Sequence, residues 1–163
     1  MANDFSKIAI QLQKHKTVQG IMKYVNQESL IEQHKKQEKS KATGIDGISK
    51  IDYEENLNEN IDGLIKRMKA MSYVPQDVKR VYIPKTGSKE LRPLGIPAYE
   101  DRLVQGAMAE VLNEIYEHIF LDCSYGFRPG KDCHQAIKKL DEIIMKKNMN
   151  YVVDADIKGF FNK

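Results

Sequence analysis

Apolar and polar positions recur in periods that divide the chain into helices, one hairpin and a terminal strand. Residues 1–40 carry short helical stripes, Ile8 with Leu12 and then Ile21, Tyr24, Val25, Leu30 and Ile31. After Ile31 the run EQHKKQEKSK is polar on every face. Such a run is either an exposed helix end leading into a loop or a helix lying on something charged. Thr43 to Gly47 forms a tight, glycine-punctuated loop, a linker on its own merits. Ser49 with Asp52 three residues later has the pattern of a capping box. Leu57, Ile61, Leu64, Ile65, Met68 and Met71 then give the following helix one buried face. Val78 to Ile83 has β character, Lys85 to Glu90 turns, and Leu91 to Ile96 returns, so the segment predicts a proline-marked hairpin with edge-exposed strands. Tyr99 to Phe120 is the cleanest helix, with Leu103, Ala107, Val111 and Ile115 beside Val104, Met108, Leu112, Ile119 and Phe120. Asp101 and Arg102 near its start read as an N-terminal charge pair. Another one-sided helix follows through Ala136, Ile137, Leu140, Ile143 and Ile144, and Tyr151, Val152 and Val153 suit a buried strand. The pattern as a whole predicts an α+β fold that is mostly helical.

Composition narrows the class. The chain has 163 residues, 41% hydrophobic and 30% charged, enough for one good core. Mean hydropathy is −0.55, and no run approaches the roughly 18 apolar residues of a membrane span. Gln11, Gln13 and Lys14 interrupt the apolar residues near the N-terminus, which denies that segment the core of a secretion signal. Cys123 and Cys133 are therefore expected to be reduced thiols. The four histidines (His15, His34, His118, His134) lie at no zinc-ligand spacing, and neither a Gly-rich phosphate loop nor GxSxG is present.

Charge is unevenly spread over the formal net of +3: residues 1–50 carry nine Lys and five acids, whereas residues 103–122 carry four acids and no base. Basic stretches of this kind fit a polyanionic partner and fit a solvated surface equally well. The polar run places Lys35, Lys36, Lys39 and Lys41 in such a position, as a candidate RNA-contacting arm. Lys79, Arg80, Lys85, Lys89 and Arg92 put five cations on the hairpin. They suit a phosphate clamp, with Lys as a point charge and Arg as a fork, and lysines also protect strand edges from mispairing. In the loop at 124–132, Tyr125 and Phe127 alternate with Arg128 and Lys131, an arrangement that suits base stacking and equally suits closure of a core beneath. Asp154 and Asp156 at the exit of an apolar strand are costly unless a cation uses them.

Together these stretches resemble the reverse transcriptases encoded by bacterial group II introns. The matching segments are KATGIDG (41–47), RVYIPKTGSKELRPLGIP (80–97), EDRLVQ (100–105), SYGFRPG (124–130) and DADIKGFF (154–161), in the family's order. The resemblance implies the fingers subdomain of a right-hand polymerase with a β-hairpin and the first palm strand. Residues 1–40 would be an N-terminal helical extension that contacts RNA, residues 41–148 the fingers, and residues 149–163 the start of the palm. It implies that Asp156 is the catalytic, metal-binding aspartate, that Ile157 lends its backbone carbonyl to a metal, and that Phe161 screens the 2′-hydroxyl of the incoming sugar. Lys85 and Arg92 would grip the triphosphate, Arg80 would touch template or nucleotide, and Tyr125, Phe127 and Arg128 would shape the template channel. Asp154 matches no family ligand, and Asn162 stands where the family commonly has Asp.

The activity implied is RNA-directed DNA polymerisation with help to intron splicing and mobility, using two Mg2+ ions. The partners implied are intron RNA, an RNA template with a DNA primer, and deoxynucleoside triphosphates, in a cytoplasmic bacterial ribonucleoprotein. A retron-type reverse transcriptase, or a non-catalytic splicing factor with a degenerate polymerase fold, are the alternatives. The family's second catalytic motif, an aromatic-Ala-Asp-Asp turn, is not among these 163 residues. They are therefore expected to bind RNA without polymerising by themselves. A strand at 151–156 without neighbours is also expected to favour self-association, and a homodimer through exposed fingers or palm surfaces is expected among the partners.

Overall fold

The computed structural model describes residues 5–15, 17–87, 89–147 and 149–157. Helix α1 (Ser6–His15) is followed by a 3-10 turn (Ile21–Tyr24), α2 (Gln27–Lys36), α3 (Lys50–Glu54) and α4 (Leu57–Lys69). Strands β1 (Lys79–Pro84) and β2 (Leu91–Ile96) come next, then α5 (Tyr99–Tyr116) and α6 (Cys133–Lys146). The architecture is mixed, helices with one two-stranded antiparallel sheet. The chain divides into two compact units, Met1–His118 and Ile119–Lys163.

In the first unit α5 is the central element. Its residues Tyr99, Leu103, Ala107 and Val111, four apart, are all buried, as one helical stripe requires. Tyr99, Leu103 and Ala107 join Val25, Leu30, Tyr53, Ile61 and Leu64 in one cluster. Val111 joins Ile8 and Tyr24 in another, which holds α1 and the 3-10 turn. Each fully buried Leu here contributes roughly 1.5–3 kcal/mol by leaving water.

Local signals fix the helix ends. Asn26 caps α2, with the Asn26 side chain accepting from the Ser29 amide and Ser29 answering at the cap backbone. Ser49 and Asp52 form the expected reciprocal box at α3, and hydrogen bonds from Ser49 hold the Asp52 carboxyl below its ordinary pKa. At the end of α4 the amides of Ser72 and Met71 donate to Arg67 and Met68 carbonyls, at 2.9 and 3.1 Å. That is a Schellman closure, and it puts Met71 in the left-handed region at φ 55°.

Several boundaries differ from the sequence pattern. The helical run at 1–40 is broken at Gly20, which takes φ 67°. The run after Ser49 is two helices, because Glu55 and Asn56 form a turn between α3 and α4. Helix α5 stops at Tyr116, leaving Ile119 and Phe120 exposed. The strand expected from Tyr151 to Asp156 does not form: residues 151–157 are exposed and adopt neither helix nor strand. A strand exists only by hydrogen bonding to a neighbour, and the sheet among the described residues consists of β1 and β2. Helix α6, in the second unit, has no buried residue, and Ile137, Leu140, Ile144 and Met145 on it are exposed. Both cysteines are free and exposed.

Candidate functional site

The hairpin pairs Lys79 with Ile96, Arg80 with Gly95, Val81 with Leu94, Tyr82 with Pro93, Ile83 with Arg92 and Pro84 with Leu91. Side chains alternate between the two faces of a strand. Arg92 therefore shares a face with Lys79, Val81 and Ile83, while Arg80 shares the opposite face with Tyr82. Beyond the last pair the Lys85 amide donates to the Glu90 carbonyl at 2.9 Å. This continues the register by one step and puts Lys85 on the Arg92 face, as its diagonal neighbour. The Lys85 ammonium meets the Glu90 carboxylate at 3.3 Å, with both side chains largely exposed. An exposed pair of this kind is worth well under ~1 kcal/mol, so Lys85 is readily given up to a stronger anion.

Both legs of the hairpin end on the first turn of α5. Asp101, only 4% exposed, accepts hydrogen bonds from the Tyr73 hydroxyl and from the Gln76 amide at 2.9 Å. Burial, and then the Asp101 hydrogen bond, push the Tyr73 phenol well above its ordinary pKa. Arg102 donates from Nε to the Pro97 carbonyl at 3.0 Å and from Nη2 to the Ala42 carbonyl at 2.6 Å. The Asp46 carboxylate accepts from the Tyr99 amide at 2.6 Å, capping α5 from a distant loop. Gly44 permits that approach, since a Cβ there would lie 2.4 Å from the Pro97 oxygen. Glu100 completes the turn by binding the Tyr53 hydroxyl at 3.2 Å and Arg67 at 2.5 Å. The expected charge pair of Asp101 with Arg102 is thus corrected: each residue holds a different backbone segment. The sequence carried no local signal for this, because every partner lies outside α5.

The arm at 35–41 is partly engaged. Lys36 is held by Glu110 and, at 3.5 Å, by Glu32, and the Glu110 hydrogen bond raises its pKa. Gln33 donates to the same Glu110 carboxylate at 2.6 Å. Lys50 closes the end of α2 by donating to the Lys35 and Gln37 carbonyls at 3.2 and 2.8 Å. Lys35, Lys39 and Lys41 are exposed. The polar run is not solvated on every face, because Gln33 and His34 are buried. The His34 Nδ1 meets the Tyr99 hydroxyl at 2.9 Å, and Nε2 has no hydrogen-bond partner.

In the second unit Arg128 is buried. Its Nη1 donates to the Leu121 and Ser124 carbonyls, both at 2.8 Å, and its guanidinium lies 5.1 Å from the Phe120 ring centroid. Arg128 is therefore a tie inside the loop, and its bearing on a template is through the shape it gives that loop. What the tie displays is Phe127, fully exposed and at φ 56°, a conformation costing roughly 1–2 kcal/mol for a residue with a Cβ. Tyr125 is half-buried, with the Lys131 ammonium 5.4 Å from its ring centroid. Asp132 then caps α6, accepting from the Gln135 amide at 2.8 Å. Asp154, Asp156 and Ile157 lie in the exposed terminal segment. Phe161 lies outside the described residues. Among the described residues no three His, Cys, Asp or Glu side chains converge as a metal site.

Residues 83–163, from within β1 through the Asp156 segment, match the reverse transcriptase (RNA-dependent DNA polymerase) family. The chain belongs to the group II intron reverse transcriptase/maturase branch of that family. It is 43% identical over 104 residues to the group II intron-encoded protein LtrA of Lactococcus lactis subsp. cremoris, covering 64% of this chain and 17% of that protein. Over 122 residues it is 36% identical to protein YkfC of Escherichia coli K12, covering 73% of this chain and 32% of the relative. A 91 kDa protein in the cob intron of Schizosaccharomyces pombe is 34% identical over 102 residues, covering 63% of this chain and 12% of that protein. The chain thus spans less than a third of the length of these relatives. Among the described residues no helix is long and apolar enough to cross a membrane.

Proposed function

We propose that this chain supplies the nucleotide-gripping fingers and the first catalytic aspartate of an RNA-directed DNA polymerase that acts on, and assists the splicing of, a group II intron RNA. The observation that carries the reading is the shared face of Lys85 and Arg92 on an exposed hairpin. Two cations on one face, one a point charge and one a planar fork, fit the β- and γ-phosphates of a deoxynucleoside triphosphate. They neutralise charge that grows on those oxygens as the phosphoryl group transfers. Glu90 holds Lys85 until the triphosphate displaces it.

Asp156 and the Ile157 carbonyl offer oxygen donors only, the chemistry that suits Mg2+. Asp156 and the Ile157 carbonyl would hold Mg2+ together with further carboxylates, and the bound metal would supply activation of the primer 3′-hydroxyl and charge neutralisation at the leaving pyrophosphate. Asp156 lies in exposed chain, so its carboxylate is free to act as a ligand. Phe161 is assigned to exclude the ribose 2′-hydroxyl. RNA meets Lys35, Lys39, Lys41 and Arg80 through phosphate contacts, and Phe127 and Tyr125 through stacking. Lys36 contributes less, since Glu110 already neutralises it. The test is Mg2+-dependent primer extension on an RNA template by the full chain that carries this sequence. Asp156→Asn is expected to lower kcat by at least ~1000-fold with little change in RNA binding; unchanged extension by that variant rules the assignment out.

A further inference from the structure

The hairpin joins the helical body by two legs, residues 73–78 before β1 and residues 97–98 after β2. Both legs are tied by adjacent side chains of α5: Asp101 holds the first through the Tyr73 hydroxyl and Gln76 amide. Arg102 holds the second through the Pro97 carbonyl and also fastens the loop at Ala42. Asp46, from that same loop, binds the Tyr99 amide where the second leg becomes helix. A cavity of about 430 Å³ opens beside this junction, lined by Asp46, Arg67, Tyr73, Gln76, Glu100 and Asp101 among others. Packing alone therefore leaves the first leg room to shift, and the polar ties take up that freedom.

We infer that Asp101 and Arg102 are positioning residues that set the angle of the hairpin and thereby the affinity of Lys85 and Arg92 for the incoming triphosphate. The inference rests on the reading of the hairpin as a triphosphate grip. Asp101 suits the task because a buried carboxylate with two separate donors is satisfied in one geometry only. Arg102 suits it because its planar fork binds two carbonyls that belong to two different segments. A shift of even ~1 Å in the legs is carried to the tip, where placement of charged groups governs transition-state binding.

Tyr73→Phe keeps the ring and removes one tie, and Asp101→Asn keeps the shape but can accept at only one of its two positions. In the full chain each is expected to raise the KM for deoxynucleoside triphosphate by roughly tenfold, with kcat within about twofold. Amide hydrogen exchange across 79–96 is expected to quicken in both variants while exchange in α5 beyond its first turn stays unchanged. Lys85→Ala serves as the reference for the grip itself. If Lys85→Ala raises KM and neither tie variant does, the positioning role is overturned and the grip stands. A parallel fall of kcat and melting temperature in Tyr73→Phe, without a KM change, overturns it too, as an ordinary loss of stability. If Lys85→Ala leaves KM unchanged, the grip fails, and this inference with it.

Discussion

At the scale of single residues, Met71 and His34 are two positions in the first unit whose chemistry conflicts with their surroundings, and each gives a prediction. Met71 occupies the left-handed C′ position of a Schellman closure, where Gly is preferred, and its side chain is 92% exposed. Met71→Gly removes a steric cost of roughly 1–2 kcal/mol and adds backbone freedom to the unfolded chain. A net gain of about 0.5–1 kcal/mol and a melting temperature roughly 2 °C higher are expected in thermal unfolding; a loss would show that the Met71 side chain packs. His34 is the second position. Burial, with Lys50 adding to it and Glu54 opposing, holds its pKa below the ordinary 6.5. The folded state thus binds the proton less tightly than the unfolded chain, so protonation favours unfolding. Stability is full above about pH 6.5 and falls as the pH drops from there toward the folded-state pKa. His34→Gln is expected to flatten the dependence below about pH 6.5, and an unchanged slope would place the titration elsewhere. The Ser49–Asp52 box was legible in the sequence because its partners are three residues apart. The roles of Asp46, Asp101 and Arg102 were not, because their partners lie in other segments of the chain.

Whole elements were legible where a period ran for several turns. The stripe through Tyr99, Leu103, Ala107 and Val111 predicted α5 and its buried face. The hairpin was equally plain, since Pro84, the Lys-Thr-Gly turn and the returning β residues mark it, and its register then showed what composition could not. Five cations on one hairpin are a single patch in sequence, but pairing sorts them: Lys85 and Arg92 to one face, Arg80 to the other. Helix α6 and the segment at 151–157 show the opposite case. Their apolar positions, Ile137, Leu140 and Ile144 with Tyr151, Val152 and Val153, read as buried and stand exposed. Periodicity reports which face of an element is apolar, and burial needs a second surface to pack on it. The polar run after Ile31 failed in the other direction, because Gln33 and His34 are buried through specific partners on α5 that no hydropathy pattern contains.

At the scale of the molecule, a helical body built on α5 carries a hairpin with Lys85 and Arg92 on one exposed face, the face proposed to grip a triphosphate. The family was legible because loops, rather than core positions, carry its motifs, and residues 83–163 match the reverse transcriptases as those loops implied. The division of labour between the hairpin faces is the central claim, and steady-state primer extension with the full chain tests it most directly. Lys85→Ala and Arg92→Ala are each expected to raise the KM for deoxynucleoside triphosphate by roughly 10- to 100-fold, as loss of one charge-assisted phosphate contact would. Arg80→Ala, on the opposite face, is expected to leave that KM within about twofold and to weaken RNA binding in a salt-dependent way. Equal KM values for all three variants, or a large effect at Arg80 alone, would contradict the account.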